Sequence, residues 1–180
     1  MPAIQNSTNG IVVAVASRDI DKARAFARRF SIPIAFGGYE ELVASRDIDG
    51  IYIALPNSQH VEWTLKAVEA GKHVLCEKPI AMRAEEILTL IEAGGRTRRL
   101  VSEAFAVYYH PQWAKVRELV QGGAIGRLRL VQGAYSYFLD DPKNPRNQLS
   151  LGGGAAARRR CLPNPGCSLG IRRGTDPRTS

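Results

Sequence analysis

A parallel, doubly wound α/β sheet is the fold class predicted for this chain, and three features predict it. Short runs that are apolar at every position recur, stretches with one apolar helical face separate them, and the pattern breaks after residue 105. Continuous apolar runs suit strands buried on both faces, the condition of a parallel sheet. Their alternation with helices points to repeated strand–helix–strand crossovers.

Ile11-Val12-Val13-Ala14-Val15-Ala16 is the first such run. Ser17-Arg18-Asp19 ends it, and Ala23, Phe26, Ala27 and Phe30 then recur at helical spacing. Ile34-Ala35-Phe36 reads as a short strand, followed by a short helix from Glu40 to Ala44. Ile51-Tyr52-Ile53-Ala54-Leu55 is the next buried strand. Val61, Thr64, Leu65 and Val68 line a helix that stops at Gly71, a residue suited to the left-handed conformation of a helix terminus. His73-Val74-Leu75-Cys76 is a further strand, and Ala84, Ile87, Leu88 and Ile91 mark one helix face ending at Gly94-Gly95. Leu100 to Ala104 completes the series. Beyond it, Trp113, Val116 and Leu119 fit a helix closing at Gly122-Gly123, and residues 127–138 alternate imperfectly, as a long strand would. That strand reads as the opening of a second domain on an antiparallel or mixed sheet. The Arg-, Pro- and Gly-rich residues 155–180 lack periodicity and are expected to be disordered.

Composition excludes several function classes. No apolar run reaches the roughly 18 residues needed to span a bilayer, and the first residues lack the basic and apolar regions of a signal peptide. Cys161 and Cys167 are separated by five residues, a spacing that matches no common zinc pattern. With three cysteines in no framework, a reducing cytoplasmic location is expected. The net charge of +8 invites a nucleic-acid reading, but about +5 of it lies in residues 155–180. That tail could meet phosphates, yet it has no aromatic side chain to stack bases. Neither a nucleic-acid nor a membrane partner is expected.

The most informative segment is Cys76-Glu77-Lys78-Pro79, where a predicted strand runs out. A lysine there stands off the carboxyl edge of the sheet, where open α/β folds hold their ligands. Proline behind it fixes φ and removes a donor. Glu77 can pair with the ammonium and adjust its proton affinity. This is the layout of a positioned proton donor; the plainer alternatives are a surface lysine in a turn and a glutamate capping the next helix. Cys76 reads as a small buried hydrophobe rather than a nucleophile.

Three segments together, Ala14-Val15-Ala16-Ser17-Arg18-Asp19, Leu55-Pro56-Asn57-Ser58-Gln59-His60 and Gly71-Lys72-His73-Val74-Leu75-Cys76-Glu77-Lys78-Pro79, resemble the Gfo/Idh/MocA oxidoreductase family. Within it the chain is most similar to dehydrogenases acting on sugars, inositols or trans-dihydrodiols. The resemblance runs from residue 2 to about 154. It implies a Rossmann domain over residues 1–105, the start of an α/β substrate domain over 106–154, and a tail over 155–180. It further implies hydride transfer between a nicotinamide and a hydroxyl-bearing carbon of a sugar-like or cyclic diol substrate. Lys78 and Glu77 would be catalytic, and Leu55, Pro56, Asn57, His60, Glu77 and Lys78 would meet the cofactor. Ser17 and Arg18 fall where the adenosine ribose is read. A hydroxyl plus an arginine suits a 2′-phosphate, so NADP is the expected cofactor; an inward turn of the Asp19 carboxylate would favour NAD instead. Full-length relatives usually associate through the second domain, so a homo-oligomer is implied for them.

Two departures bear on activity. The family's opening strand and Gly-x-Gly-x-x-Gly turn, which hold the pyrophosphate, have no counterpart in this sequence. The missing strand would be the central one, so two interior strand edges should lie open. Second, Leu151-Gly152-Gly153-Gly154 is followed by Ala155-Ala156-Ala157-Arg158-Arg159-Arg160 instead of a segment carrying an aspartate and a histidine or tyrosine. A smaller departure is Tyr108, where relatives often carry an arginine. Impaired turnover is the expectation; the alternative is a non-catalytic fragment or an interaction module with a basic tail.

Overall fold

The structure, a computed structural model, describes residues 2–8, 10–132, 134, 138–144 and 147–151. The predicted disordered tail lies outside them. Helix α1 (Pro2–Gln5) leads to strand β1 (Ala14–Ala16), helix α2 (Ile20–Arg29) and strand β2 (Ile34–Phe36). Helix α3 (Tyr39–Ala44) crosses over to β3 (Gly50–Ile53), followed by α4 (His60–Glu69), β4 (His73–Cys76), α5 (Ala84–Thr97), β5 (Val101–Glu103) and α6 (Pro111–Gln121). All strand pairs are parallel: Ala14 lies opposite Ile34, Gly50 opposite His73, and Val74 opposite Val101. Among the described residues no helix is long and apolar enough to cross a membrane.

The sheet is in two pieces, β1-β2 and β3-β4-β5. In a dinucleotide-binding sheet the first strand lies at the centre, between the second and the fourth. Here β1 and β3 occupy those flanking places, and the expected gap lies between them.

Local chemistry explains the elements. Asp19 caps α2, its Oδ1 accepting from the backbone of Asp21 (3.0 Å) and Lys22 (3.2 Å). Ala23 and Ala27 are the buried face of that helix, while Phe26 is 39% exposed and packs on Phe30, centroids 4.6 Å apart. The core lies between α4 and the larger sheet: Ile53, Val74 and Cys76 meet Trp63, Ala67 and Val68, with Ala93 of α5 beside them. Tyr39 of α3 closes edge-on against Trp63 at 5.1 Å. Gly71, at φ +78°, turns the chain out of α4, and only glycine adopts that backbone freely. An added Cβ would meet nothing closer than 3.9 Å, so the constraint is conformational and not spatial.

The structure corrects four expectations. Helix α5 runs through Gly94-Gly95 to Thr97 and stops at Arg98, whose φ of 54° is left-handed. The glycine at 94 instead allows close approach to the next strand, since a Cβ there would lie 3.2 Å from the Arg99 carbonyl. The inward face of α5 is Leu90 and Ala93; Ile87, Leu88 and Ile91 are exposed. Among the described residues the larger sheet is covered on one face only, because Tyr52 and Leu75 point away from α4 and remain 42% and 40% exposed. Finally, the described residues of 127–138 form no strand. A strand is stable only when paired, and no neighbouring strand lies beside them among the described residues.

Lys72 is buried, and its ammonium donates to the carbonyls of Ser45 (2.5 Å) and Ile48 (2.8 Å), tying the α3–β3 connection to the start of β4. Lys72→Met keeps the stem but orphans both carbonyls. It should destabilise the chain by about 1–3 kcal/mol in urea unfolding.

Candidate active site

Three loops leave the carboxyl ends of β3, β4 and β5, and backbone bonds carry the ladders one step beyond the strands. Glu77 N donates to Ile53 O (2.9 Å) and Ala104 N to Cys76 O (2.7 Å). This register sets the exit of β3 (Leu55-Pro56-Asn57) beside the exit of β4 (Glu77-Lys78-Pro79).

His60 then knits the two exits together. Its ring is fully buried, with Nδ1 at 2.7 Å from the Pro79 carbonyl and Nε2 at 2.8 Å from the Leu55 carbonyl. A neutral imidazole has a single N–H, so it can donate to only one of these carbonyls at a time. From the third loop side, Glu103 at the end of β5 accepts from Ile80 N at 2.9 Å. The Lys78-Pro79 peptide is cis, and Lys78 itself is half-buried.

Glu77 behaves differently from expectation. Its Oε1 accepts from the Tyr52 hydroxyl at 2.5 Å and its Oε2 from the Lys78 backbone at 3.2 Å. Among the described residues the Lys78 ammonium makes no ion pair. The expected Glu77–Lys78 pairing is therefore replaced, because Tyr52 on the adjacent strand reaches the carboxylate from the same face. Burial, and secondly the Glu77 carboxylate, push the Tyr52 phenol up to about 12, so it stays a donor across the neutral range. Burial pushes the Cys76 thiol up to about 11, with the Glu103 and Glu77 carboxylates adding to the effect. Cys76 is thus a neutral core group, in keeping with its reading as a small hydrophobe.

The structure brings Leu55, Pro56, Asn57, His60, Glu77 and Lys78 together. Asn57 is buried at the start of a 3₁₀ turn, and Leu55 and Pro56 are half-buried. His60 was expected to face the cofactor, yet its ring lies behind the loops with both nitrogens against backbone carbonyls. Ser17 and Arg18 stand apart from this group, at the carboxyl end of β1 in the smaller sheet. Ser17 Oγ accepts from Asp19 N at 3.2 Å, and Arg18 is exposed. The Asp19 carboxylate caps α2 and does not turn inward; the backbone amide of Lys22 is the chief reason its pKa is lowered. Tyr52 and Glu103 were not singled out from the sequence. The only hint was a polar-tipped residue inside one apolar run and an acid at the end of another.

With this geometry in view, the relatives can be placed. Residues 1–105 match the family model described as "Oxidoreductase family, NAD-binding Rossmann fold". The chain belongs to the Gfo/Idh/MocA oxidoreductase family. Within that family it is 46% identical over 155 residues to an uncharacterized oxidoreductase of Rhizobium meliloti, an alignment covering 86% of this chain and 46% of that protein. It is 39% identical to a dTDP-3,4-didehydro-2,6-dideoxy-α-D-glucose 3-reductase of Saccharopolyspora spinosa, again over 86% of this chain and 46% of the other. Among solved structures, a variant of KijD10, a 3-ketoreductase from Actinomadura kijaniata in complex with TDP-benzene and NADP, superposes with a TM-score of 0.67 at 35% identity. That match covers 71% of this chain and 39% of the 3-ketoreductase. The chain spans about half the length of the curated relatives it matches.

Proposed function

We propose that the chain is the cofactor-binding part of an NADP-preferring oxidoreductase, with residues 106–154 opening a substrate domain. The substrate class that fits is a sugar-like or cyclic diol molecule whose hydroxyl-bearing carbon exchanges a hydride with the nicotinamide. The observation that carries this reading is the meeting of the β3 and β4 exits at the sheet's carboxyl edge, where Lys78 has no carboxylate partner among the described residues. The donor set fits a dinucleotide. Lys78 is half-buried at the edge, and exposed Arg18 beside Ser17 makes no ion pair among the described residues, which leaves it able to meet a 2′-phosphate.

Hydride chemistry is what a bound nicotinamide would supply. The chain's own residues position and protonate. Lys78 Nζ carries the proton exchanged with the substrate oxygen, and the Lys78 backbone is held by the Glu77 carboxylate. Tyr52 in turn orients Glu77. His60 and Glu103 hold the turn in register with the neighbouring loops, so Lys78 projects from a braced segment. The expected deficit is in phosphate binding, since no Gly-x-Gly-x-x-Gly turn is present in the sequence. Turnover by this chain alone should therefore be weak.

The dinucleotide preference has its own test. Arg18→Ala should weaken NADPH binding by about tenfold, one charge-assisted contact, and leave NADH affinity unchanged. Paired fluorescence titrations of the two cofactors measure this. Equal losses for both would move Arg18 to a part that the two cofactors share, and no loss for either would leave it in the solvated loop; both outcomes would remove it from the 2′-phosphate.

A further inference from the structure

His60 has one proton to give and two carbonyls that could take it. Nδ1 lies 2.7 Å from Pro79 O and Nε2 2.8 Å from Leu55 O, and among the described residues no backbone N–H donates to either carbonyl. The ring is buried, opens α4, and pairs with no carboxylate among the described residues. A charged ring there would be an unpaired buried cation at the positive end of a helix, so the neutral ring suits this place.

The two carbonyls differ in what they lose without a donor. Pro79 is buried, whereas Leu55 is half-buried. A buried carbonyl left unpaired bears its whole desolvation cost, and one nearer to water recovers part of it. The proton therefore belongs on Nδ1, toward Pro79. The other two histidines are the reverse. His73 Nδ1 accepts from Leu100 N at 2.9 Å, and His110 Nδ1 accepts from Gln112 N at 3.2 Å. Each of those nitrogens is unprotonated, so a neutral ring there carries its proton on Nε2.

We propose that His60 is the Nδ1-protonated tautomer and a positioning residue for Lys78. Its N–H fixes the Pro79 carbonyl, so the turn carrying Lys78 is held from behind. The Leu55 carbonyl receives no proton from the ring, and the β3 exit is the side left to adjust to a ligand. The turn's other tethers are carboxylates: Glu77 Oε2 accepts from Lys78 N at 3.2 Å, and Glu103 Oε1 accepts from Ile80 N at 2.9 Å. Both hold amides of the turn, whereas the ring holds a carbonyl. The bearing on proton transfer rests on the proposed function; the tautomer does not.

Nitrogen–proton correlation spectra of the whole chain, labelled at the histidine ring nitrogens, read the tautomer at neutral pH. Of the three rings, one should show the Nδ1–H pattern, and it should be the one that disappears in His60→Gln. An Nε2–H pattern for His60, or protons on both nitrogens, would overturn the proposal. Replacements then separate the two positions, because an Asn amide reaches the place of Nδ1 and a Gln amide that of Nε2. Amide exchange at Lys78 and Ile80 should stay within about threefold of the parent in His60→Asn and quicken about tenfold or more in His60→Gln. Equal exchange in the two variants, or faster exchange in His60→Asn, would overturn the positioning role. If neither variant folds, the parent spectrum decides alone. With NADPH, the limiting nicotinamide emission should match the parent in His60→Asn and differ in His60→Gln; the same emission from both would also overturn the role. A parent chain that binds no NADPH counts against the proposed function and leaves the tautomer to the spectrum.

Discussion

His60→Ala should destabilise the chain by about 3–5 kcal/mol, the range for removing a large buried side chain while orphaning polar partners. The side chain is 1% exposed, and its loss leaves a cavity and removes the ring N–H from between the carbonyls of Leu55 and Pro79. Against a total stability of about 5–15 kcal/mol for an ordinary domain, that loss would leave a marginal fold. His60→Phe separates the two contributions. It keeps much of the ring volume and should lose only about 1–3 kcal/mol from the unmade hydrogen bonds. Urea unfolding of both variants measures the difference. A His60→Ala protein within about 1 kcal/mol of the parent would mean that the two loops are held without it.

Lys78→Ala should act on chemistry and not on folding. The side chain is half-buried and free of ion pairs among the described residues, so its removal disturbs little packing. In a protein joining this sequence to a complete substrate domain, turnover should fall by about 10²- to 10⁴-fold, the usual yield of a positioned proton donor. That is about 3–5 kcal/mol of transition-state stabilisation. Lys78→Arg should fall nearly as far, because a guanidinium keeps the charge but does not release its proton. Initial rates followed by nicotinamide absorbance, together with unchanged thermal unfolding, check both. Turnover within tenfold of the parent would remove Lys78 from the proton step.

Much of the framework could be read directly from the residues. Ile34-Ala35-Phe36 and His73-Val74-Leu75-Cys76 form strands at the predicted residues, since each is a short apolar run bounded by turns. The run from Ile11 yields a strand only over Ala14–Ala16, because its partner β2 offers three residues to pair with. The predicted strand to Leu55 ends at Ile53, whose carbonyl accepts the last ladder bond from Glu77 N, and Pro56 has no amide with which to extend the pairing. The site was legible as positions along the chain but not as a network. Tyr52 and Glu77 are 25 residues apart, and His60 and Pro79 are 19 apart. Contacts at such separations follow from strand register, which local periodicity does not specify. For the same reason α5 was assigned the wrong face: Ile87, Leu88 and Ile91 are its most apolar stripe, but α4 and the sheet select Leu90 and Ala93.

The Glu-Lys-Pro element thus sits in a braced turn at the sheet edge, with its lysine in no ion pair among the described residues and its glutamate accepting from Tyr52. On the proposed function, this edge receives a nicotinamide dinucleotide beside Lys78. That binding is tested most directly by titrating the chain with NADPH while following nicotinamide fluorescence, in parallel with Lys78→Ala. Saturable enhancement is expected for the parent chain, with the midpoint for Lys78→Ala shifted by no more than a few-fold and its limiting emission changed. No saturable signal at millimolar NADPH, from a chain shown to be folded, would contradict it.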